Sequence, residues 1–256
     1  MSRSGRRASA ATAPPPNEAV IWHDVECTGY RADLPVWRAL AAAASGPVLE
    51  LGAGTGRVTL DLAARDREVT GLDADPALVA ALAARAREDA VAAVAVTGDA
   101  RAFELGRRFG LAIAPMQVVQ LLGGPDGRRS MLASARRHLE PGALLAVALA
   151  DPLDGLPAET ALPPLPDVAE HEGWVFSSTP VALRPQADGV AIDRLRQAVS
   201  PAGDLSESMA TVVLDRVEPA EIEALAPELS YRLGERRAVP STEGYVGSTV
   251  VVLEAV

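Results

Sequence analysis

The chemically suggestive stretch is Val48-Leu49-Glu50-Leu51-Gly52-Ala53-Gly54-Thr55-Gly56-Arg57, an apolar run that enters a glycine-rich turn. Glycines at alternate positions let the backbone turn tightly and bring main-chain N–H groups against a ligand. Position 57, where the dinucleotide fingerprint carries its third glycine, holds Arg57. Asp73 stands 17 positions beyond Gly56, at the end of a second apolar run. A carboxylate there can accept hydrogen bonds from ribose hydroxyls. Gly98-Asp99-Ala100 ends a third run, and an acid at that point can accept from an exocyclic amino group. Either aspartate alone reads better as a solvated turn or cap residue. Taken in order, a glycine loop and two carboxylates share one sheet edge and suit a nucleoside-containing ligand.

The elements that must position these groups follow from periodicity. Between Pro47 and Ala150, short β-branched or aliphatic runs alternate with helical periods, the pattern of a parallel sheet covered by helices. Strands are predicted at 48–51, 68–72, 92–97, 111–116 and 143–148. Helices are predicted at 57–64, 76–88 and 128–139, with a short turn at 100–105. Asp75-Pro76 is a helix start, an N-cap acid followed by proline. Residues 1–16 read as a solvated tail ending in Pro14-Pro15-Pro16, and residues 17–45 as a helical cap interrupted near Gly29 and Pro35. The cofactor-binding core then covers 46–150. An antiparallel insert of three strands (173–183, 189–199, 207–217) lies within 151–217. A helix at 219–226, a strand at 230–237 and a final strand at 247–253 fill 218–256. The fold class expected is α/β, a Rossmann-like doubly wound sheet of seven strands with a helical N-terminal cap and an antiparallel β insert.

Composition narrows the chemistry. The chain has 256 residues, and 24 Lys+Arg against 34 Asp+Glu leave a net charge of −10. That balance argues against a duplex-binding surface, which needs clustered positive charge. All the basic side chains are arginines, so Schiff-base chemistry and a phosphate-loop lysine are excluded. No run reaches the ~18 apolar residues of a membrane span. Cys27 is the single cysteine, which excludes an internal disulfide and fits a reducing cytoplasm. The first residues lack the apolar region of a secretory signal. His138 and His171 have no partner at metal-ligand spacing, so no metal is expected.

The ordered set resembles the class I S-adenosylmethionine-dependent methyltransferases. Their first motif is an acid, any residue and G-x-G-x-G, matched by Glu50 through Gly56; acids follow strands two and three, as Asp73 and Asp99 do. The resemblance spans about residues 47–150. It implies S-adenosylmethionine as cofactor, with Gly52, Gly54 and Gly56 backing the methionine end and Glu50 and Ala53 also among the cofactor-binding residues. It further implies Asp73 and Ala74 at the ribose, Asp99 and Ala100 at the adenine, and Pro115, Met116 and Gln117 beside the transferable methyl. Leu139-Glu140-Pro141-Gly142 matches the turn the family favours before strand five. Gly110 departs from it, standing where an acid commonly opens strand four. The insert is similar to that of small-molecule N-methyltransferases.

Methyl transfer needs a nucleophile lone pair in line with the sulfonium methyl in a site that excludes water, and effective molarity can supply roughly 7–11 kcal/mol of the barrier lowering. A base is required only for a protonated acceptor. The same resemblance implies Tyr30 as a cap tyrosine over the methionine moiety, with plain core packing the alternative. Gln117 and Gln120 are polar groups in an apolar stretch, and His23 could act as a base. Glu243 and Tyr245 precede the last strand on the acceptor edge. The expected activity is direct transfer to a small molecule, nitrogen favoured over oxygen or carbon, by a cytoplasmic monomer or homodimer. Two alternatives remain open at this point: a nicotinamide-dependent reductase on the same sheet, and a non-catalytic binder of S-adenosylmethionine.

Overall fold

Helix α1 (Glu18–Cys27) and helix α2 (Leu34–Ala43) open the computed structural model, which describes residues 17–151, 165–242 and 244–256. The break between them falls at Gly29, and Pro35 occupies the first turn of α2, where its missing N–H costs nothing. Then follow β1 (Val48–Leu51), α3 (Arg57–Ala63), β2 (Val69–Asp73), α4 (Pro76–Glu88), β3 (Ala93–Thr97), β4 (Phe109–Ala114), α5 (Pro125–Arg137) and β5 (Leu139–Leu149). Helix α4 has the bounds its capping signal predicts, with the Asp75 carboxylate accepting from the Ala77 amide at 2.8 Å.

The chain continues through β6 (Asp167–His171), β7 (Trp174–Gln186), β8 (Gly189–Val199), β9 (Leu205–Asp215), α6 (Pro219–Leu225), β10 (Tyr231–Leu233), β11 (Arg237–Val239) and β12 (Ser248–Ala255). The main sheet runs β10-β12-β5-β4-β1-β2-β3, with β11 also paired to β12. Strands β1 to β5 are mutually parallel where they pair, and β12 is antiparallel to β5. A second, antiparallel sheet has the order β6-β7-β8-β9. This is the Rossmann-like doubly wound architecture with an antiparallel insert.

The inner strands of the main sheet are buried on both faces, which is why β4 reads as an unbroken apolar run and β1 as one interrupted only by Glu50. Along β4, Leu111 and Ile113 enter a core with Trp37, Val58 and Leu62, while Ala112 and Ala114 enter one with Met131, Leu132 and Ile222. Gly110 explains its own departure from the family pattern. A side chain there would collide with the Ser45 carbonyl, because β4 begins hard against the backbone leading into β1.

Several expectations need correction. The insert sheet has four strands, not three. The missed one, β6, is short and charged, with no apolar alternation to announce it. The short turn expected at 100–105 is present but tighter than that span, closed by a bridge between Asp99 and Ala102. Leu139–Gly142 is not a separate turn before strand five. It is the start of β5, where Gly142 takes φ +80° and the register to β4 shifts between Phe109 and Leu111. Residues 230–237 divide into β10 and β11. The tail at 1–16 and Glu243 lie outside the described residues.

Candidate functional site

The carboxyl ends of β1, β2, β3 and β4 surround a cleft of about 410 Å³. In an open parallel sheet this is the crevice where ligands bind. Glu50, Gly52 and Ala53 form its floor, Asp73 and Ala74 one side, and Asp99 and Ala100 the next; Pro115, Met116 and Gln117 close the far end. Val118, Leu121 and Leu122, in and after the 3-10 turn Val118–Leu121, add an apolar wall. His23 and Cys27 of α1 form the roof.

The glycine loop is used differently from the expectation. Gly52, Gly54 and Gly56 all lie in the left-handed region, at φ +70°, +55° and +101°. Their amides, however, are spent inside the protein. Gly52 and Ala53 donate to the Leu72 carbonyl at 2.8 and 3.0 Å, and Gly56 to the Ala53 carbonyl at 2.9 Å. Gly54 donates to Asp73 Oδ2 at 2.8 Å. The loop therefore presents bare main chain rather than a row of donors. A side chain at Gly52 would strike Val118, and one at Gly54 would strike the His23 imidazole. Gly56 does not line the cleft; it packs under Leu82 and Leu60 and precedes the first residue of α3.

Asp73 is a brace as well as a cleft carboxylate, since Oδ1 also accepts from the Asp75 amide at 2.9 Å. Each oxygen keeps a second lone pair free for a hydroxyl donor. Asp99, at the cleft rim, is gripped by Arg101, whose Nη2 lies 2.7 Å from Oδ2, and this ion pair holds its carboxyl below the usual range.

Glu50 is the most unusual group. It is buried, its Oε2 accepts from the Thr59 hydroxyl at 2.5 Å, and it has no ion pair among the described residues. Burial outweighs the Thr59 hydrogen bond and pushes its pKa up to about 8, so the unliganded carboxyl is mainly neutral near pH 7. The nearby cation Arg57 is committed elsewhere. It is bidentate to Asp33 at 2.6 and 2.7 Å and donates to the Tyr30 carbonyl.

Of the substrate-side candidates, His23 lines the cleft, its Nδ1 is 3.3 Å from the Thr55 hydroxyl, and burial lowers its pKa. Tyr30 and Tyr245 stand behind the cleft. Their rings are 4.9 Å apart, Tyr30 faces the Arg57 guanidinium, and the Tyr245 hydroxyl donates to Asp167 at 3.1 Å. Gln120 does not line this cleft. Its side chain is buried, donating to the carbonyls of Ala150 and Asp215 and accepting from the Ala150 amide. It borders a second cavity of about 480 Å³, lined also by Asp151, Ser241, Ser248 and Thr249.

Sequence reasoning missed Arg57, Cys27 and Arg101 as cleft residues. Arg57 had a signal, since it follows the last glycine directly. Cys27 had none, and burial pushes its thiol up to about 12, which leaves it an inert wall.

Comparison with known proteins agrees with this geometry. Residues 48–142 match the family described as a methyltransferase domain. No curated protein sequence matches the chain. Among solved structures the chain is similar to the CcbJ methyltransferase from Streptomyces caelestis, at 25% identity and a TM-score of 0.64, over 88% of this chain and 90% of that one. It is also similar to CalS10, an amino pentose methyltransferase from Micromonospora echinaspora, at 20% identity and a TM-score of 0.67, over 92% and 97% of the two chains. The sugar N-methyltransferase KedS8 from a Streptoalloteichus species shares 18% identity at a TM-score of 0.68, over 98% of both chains. The segment that builds the cleft is therefore a methyltransferase domain, on the sheet of the class I S-adenosylmethionine-dependent enzymes. S-adenosylmethionine is the cofactor such a domain takes. The residues present fit it: bare main chain at Gly52, carboxylates at Asp73 and Asp99, an apolar wall, and a buried acid without a cation.

Proposed function

We propose that this protein transfers a methyl group from S-adenosylmethionine to a nitrogen of a small polar acceptor. The observation that carries the reading is the order of groups around the cleft: bare main chain at Gly52, then carboxylates at two successive strand ends, with the uncompensated acid Glu50 beneath. In this reading Glu50 receives the cofactor's ammonium, Asp73 the ribose hydroxyls and Asp99 the adenine amino group. Ala100, Leu121 and Leu122 would flank the base.

The cofactor supplies an electrophilic sulfonium methyl. An acceptor lone pair forms the new N–C bond as the S–C bond breaks, leaving S-adenosylhomocysteine and a proton to be lost from nitrogen. His23, Met116 and Gln117 bound the methyl end, and His23, held neutral by burial, can take that proton. The second cavity lies across the 3-10 turn from the cofactor cleft and is lined by carboxylates and hydroxyls. Such a lining suits a hydroxylated amine, and the sugar N-methyltransferase and amino pentose methyltransferase among the similar structures support that class.

The test is mass spectrometry of the purified protein for bound S-adenosylmethionine or S-adenosylhomocysteine, followed by transfer of an isotopically labelled methyl to a panel of amino sugars, amines and alcohols. Binding with labelled amino sugar is the expected result. Labelled oxygen products would overturn the choice of nitrogen, tight binding without turnover would make the chain a binder only, and preferential binding of a nicotinamide dinucleotide would end the reading.

A further inference from the structure

Helix α1 lays His23 against the glycine loop, and the two nitrogens of its ring meet different surroundings. Nδ1 lies 3.3 Å from the Thr55 hydroxyl oxygen. Nε2 is the atom nearest to where a side chain on Gly54 would stand, and it has no hydrogen-bond partner among the described residues. The ring lines the cofactor cleft, and Nε2 is not sealed off from it.

A neutral imidazole carries one proton, and the hydrogen bond at one nitrogen decides where it sits. Here the answer follows from a proton count. The Thr55 hydroxyl has a single proton and donates it to Asp24 Oδ1 at 2.7 Å. Asp24 cannot return it, because the carboxylate is bound by both Nη atoms of Arg85 and a carboxylate only accepts. Thr55 Oγ1 therefore has only lone pairs to turn toward His23. With the imidazole proton on Nδ1 the contact is a hydrogen bond; with it on Nε2, two acceptors would face each other. Thr55 is buried, so bulk water does not relieve that clash.

We propose that Asp24 and Thr55 are positioning residues that hold His23 as its Nδ1–H tautomer and so leave the Nε2 lone pair to the cleft. The role rests on the methyl-transfer reading above. There the acceptor nitrogen forms its N–C bond as the S–C bond breaks, and the N–H proton passes to Nε2, giving an imidazolium. The Nδ1–H then points through the Thr55 hydroxyl at the Asp24 carboxylate, which favours the charged ring. After the product departs, the proton leaves Nε2 for solvent. The opposite tautomer would put an N–H where the lone pair is needed, and His23 could take no proton at Nε2. The charged groups around the ring are Asp24 and Glu26 on α1, Asp73 at the end of β2 and Arg85 on α4. Asp24 alone is linked to Nδ1 through one intervening hydroxyl.

Nitrogen NMR of the ligand-free full chain, isotopically labelled at its histidines, tests this without turnover, with His23→Gln identifying the resonances of that ring. At a pH where the ring is neutral, the wild type should show a proton on Nδ1 and none on Nε2. Thr55→Val keeps the shape and loses the hydroxyl. It should move the proton to Nε2 and lower kcat by roughly 100-fold or more, with the Kd for S-adenosylhomocysteine little changed. Thr55→Ser should restore both tautomer and rate. In the wild type kcat should fall as pH drops through the His23 pKa, which burial holds below the ordinary histidine value; that limb should persist in Thr55→Ser and vanish in Thr55→Val. The wild-type spectrum alone decides the tautomer should Thr55→Val fail to fold. A wild-type Nε2–H at His23, a Thr55→Val protein whose tautomer stays put, or one whose tautomer moves with full turnover would each overturn the proposal. A wild type with the Nδ1 proton that binds S-adenosylmethionine and methylates no amine would instead overturn the functional reading and leave the tautomer standing.

Discussion

Glu50 shows how much one uncompensated group can govern. Its folded pKa of about 8 lies above the ordinary carboxyl value, so its contribution to stability is complete below about pH 4.3 and is lost as pH rises through 8. The unliganded protein should therefore lose melting temperature across that window, and Glu50→Gln should flatten the loss. Binding of a cofactor ammonium beside the carboxyl should drive ionisation, so calorimetry near pH 7 in buffers of different ionisation enthalpy should record proton release. 5′-Methylthioadenosine, which lacks the amino-acid arm, should release none. Asp73 braces the loop, and under the proposed function it also receives the ribose, so Asp73→Ala should show both effects. Loss of hydroxyl acceptors should weaken cofactor binding by roughly 1–3 kcal/mol, and loss of the Gly54 brace should lower the melting temperature as well. Unchanged affinity by calorimetry would remove Asp73 from the site.

At the scale of elements, the glycine loop and α1 must be considered together. Gly54 is glycine for two separate reasons, its φ of +55° and the imidazole packed over it. Gly54→Ala should abolish cofactor binding, and adding His23→Ala should restore the steric part while leaving the backbone cost of about 1–2 kcal/mol. A double variant no more stable than the single one would show that the contact is immaterial. Gln120 clamps the end of β5 to β9, so Gln120→Ala should destabilise by roughly 1–3 kcal/mol while leaving cofactor affinity intact. These elements differ in how clearly the sequence announces them. Helix α4 was legible to the residue because a side-chain cap and a proline mark its start. The loop was legible as a motif, but not the destination of its amides, since Leu72 and Asp73 are distant in sequence and capture them only in the folded sheet. Gln120 borders the second cavity, as a polar group in an apolar run can, but its backbone partners at Ala150 and Asp215 are set only by the folded sheet.

At the scale of the molecule, the parallel sheet was predictable because burial on both faces writes continuous apolar runs into the chain, whereas the insert, with one open face, left β6 invisible. Ligand linkage should act on the whole fold. S-adenosylhomocysteine at about 100 times its Kd should stabilise the protein by roughly 2.7 kcal/mol, a rise of about 5–10 °C for a chain of this size. A rise with adenosine equal to that with S-adenosylhomocysteine would show that the methionine end contributes nothing.

Helix α1 couples the two halves of the protein. Asp24 is tied to Arg85 and Thr55 on the core side, and Glu26, two residues on, to Arg196 and Ser178 on the insert side. The strands β7 and β8 therefore cannot tilt outward without pulling the same helix, and with it His23, away from the loop at Gly54. An acceptor that wedges the halves apart would loosen the grip on the methyl donor, and one that draws them together would tighten it. By thermodynamic reciprocity such an acceptor would be favoured or disfavoured by the donor by the same factor, and α1, bonded to both sides, is the element that would carry the effect.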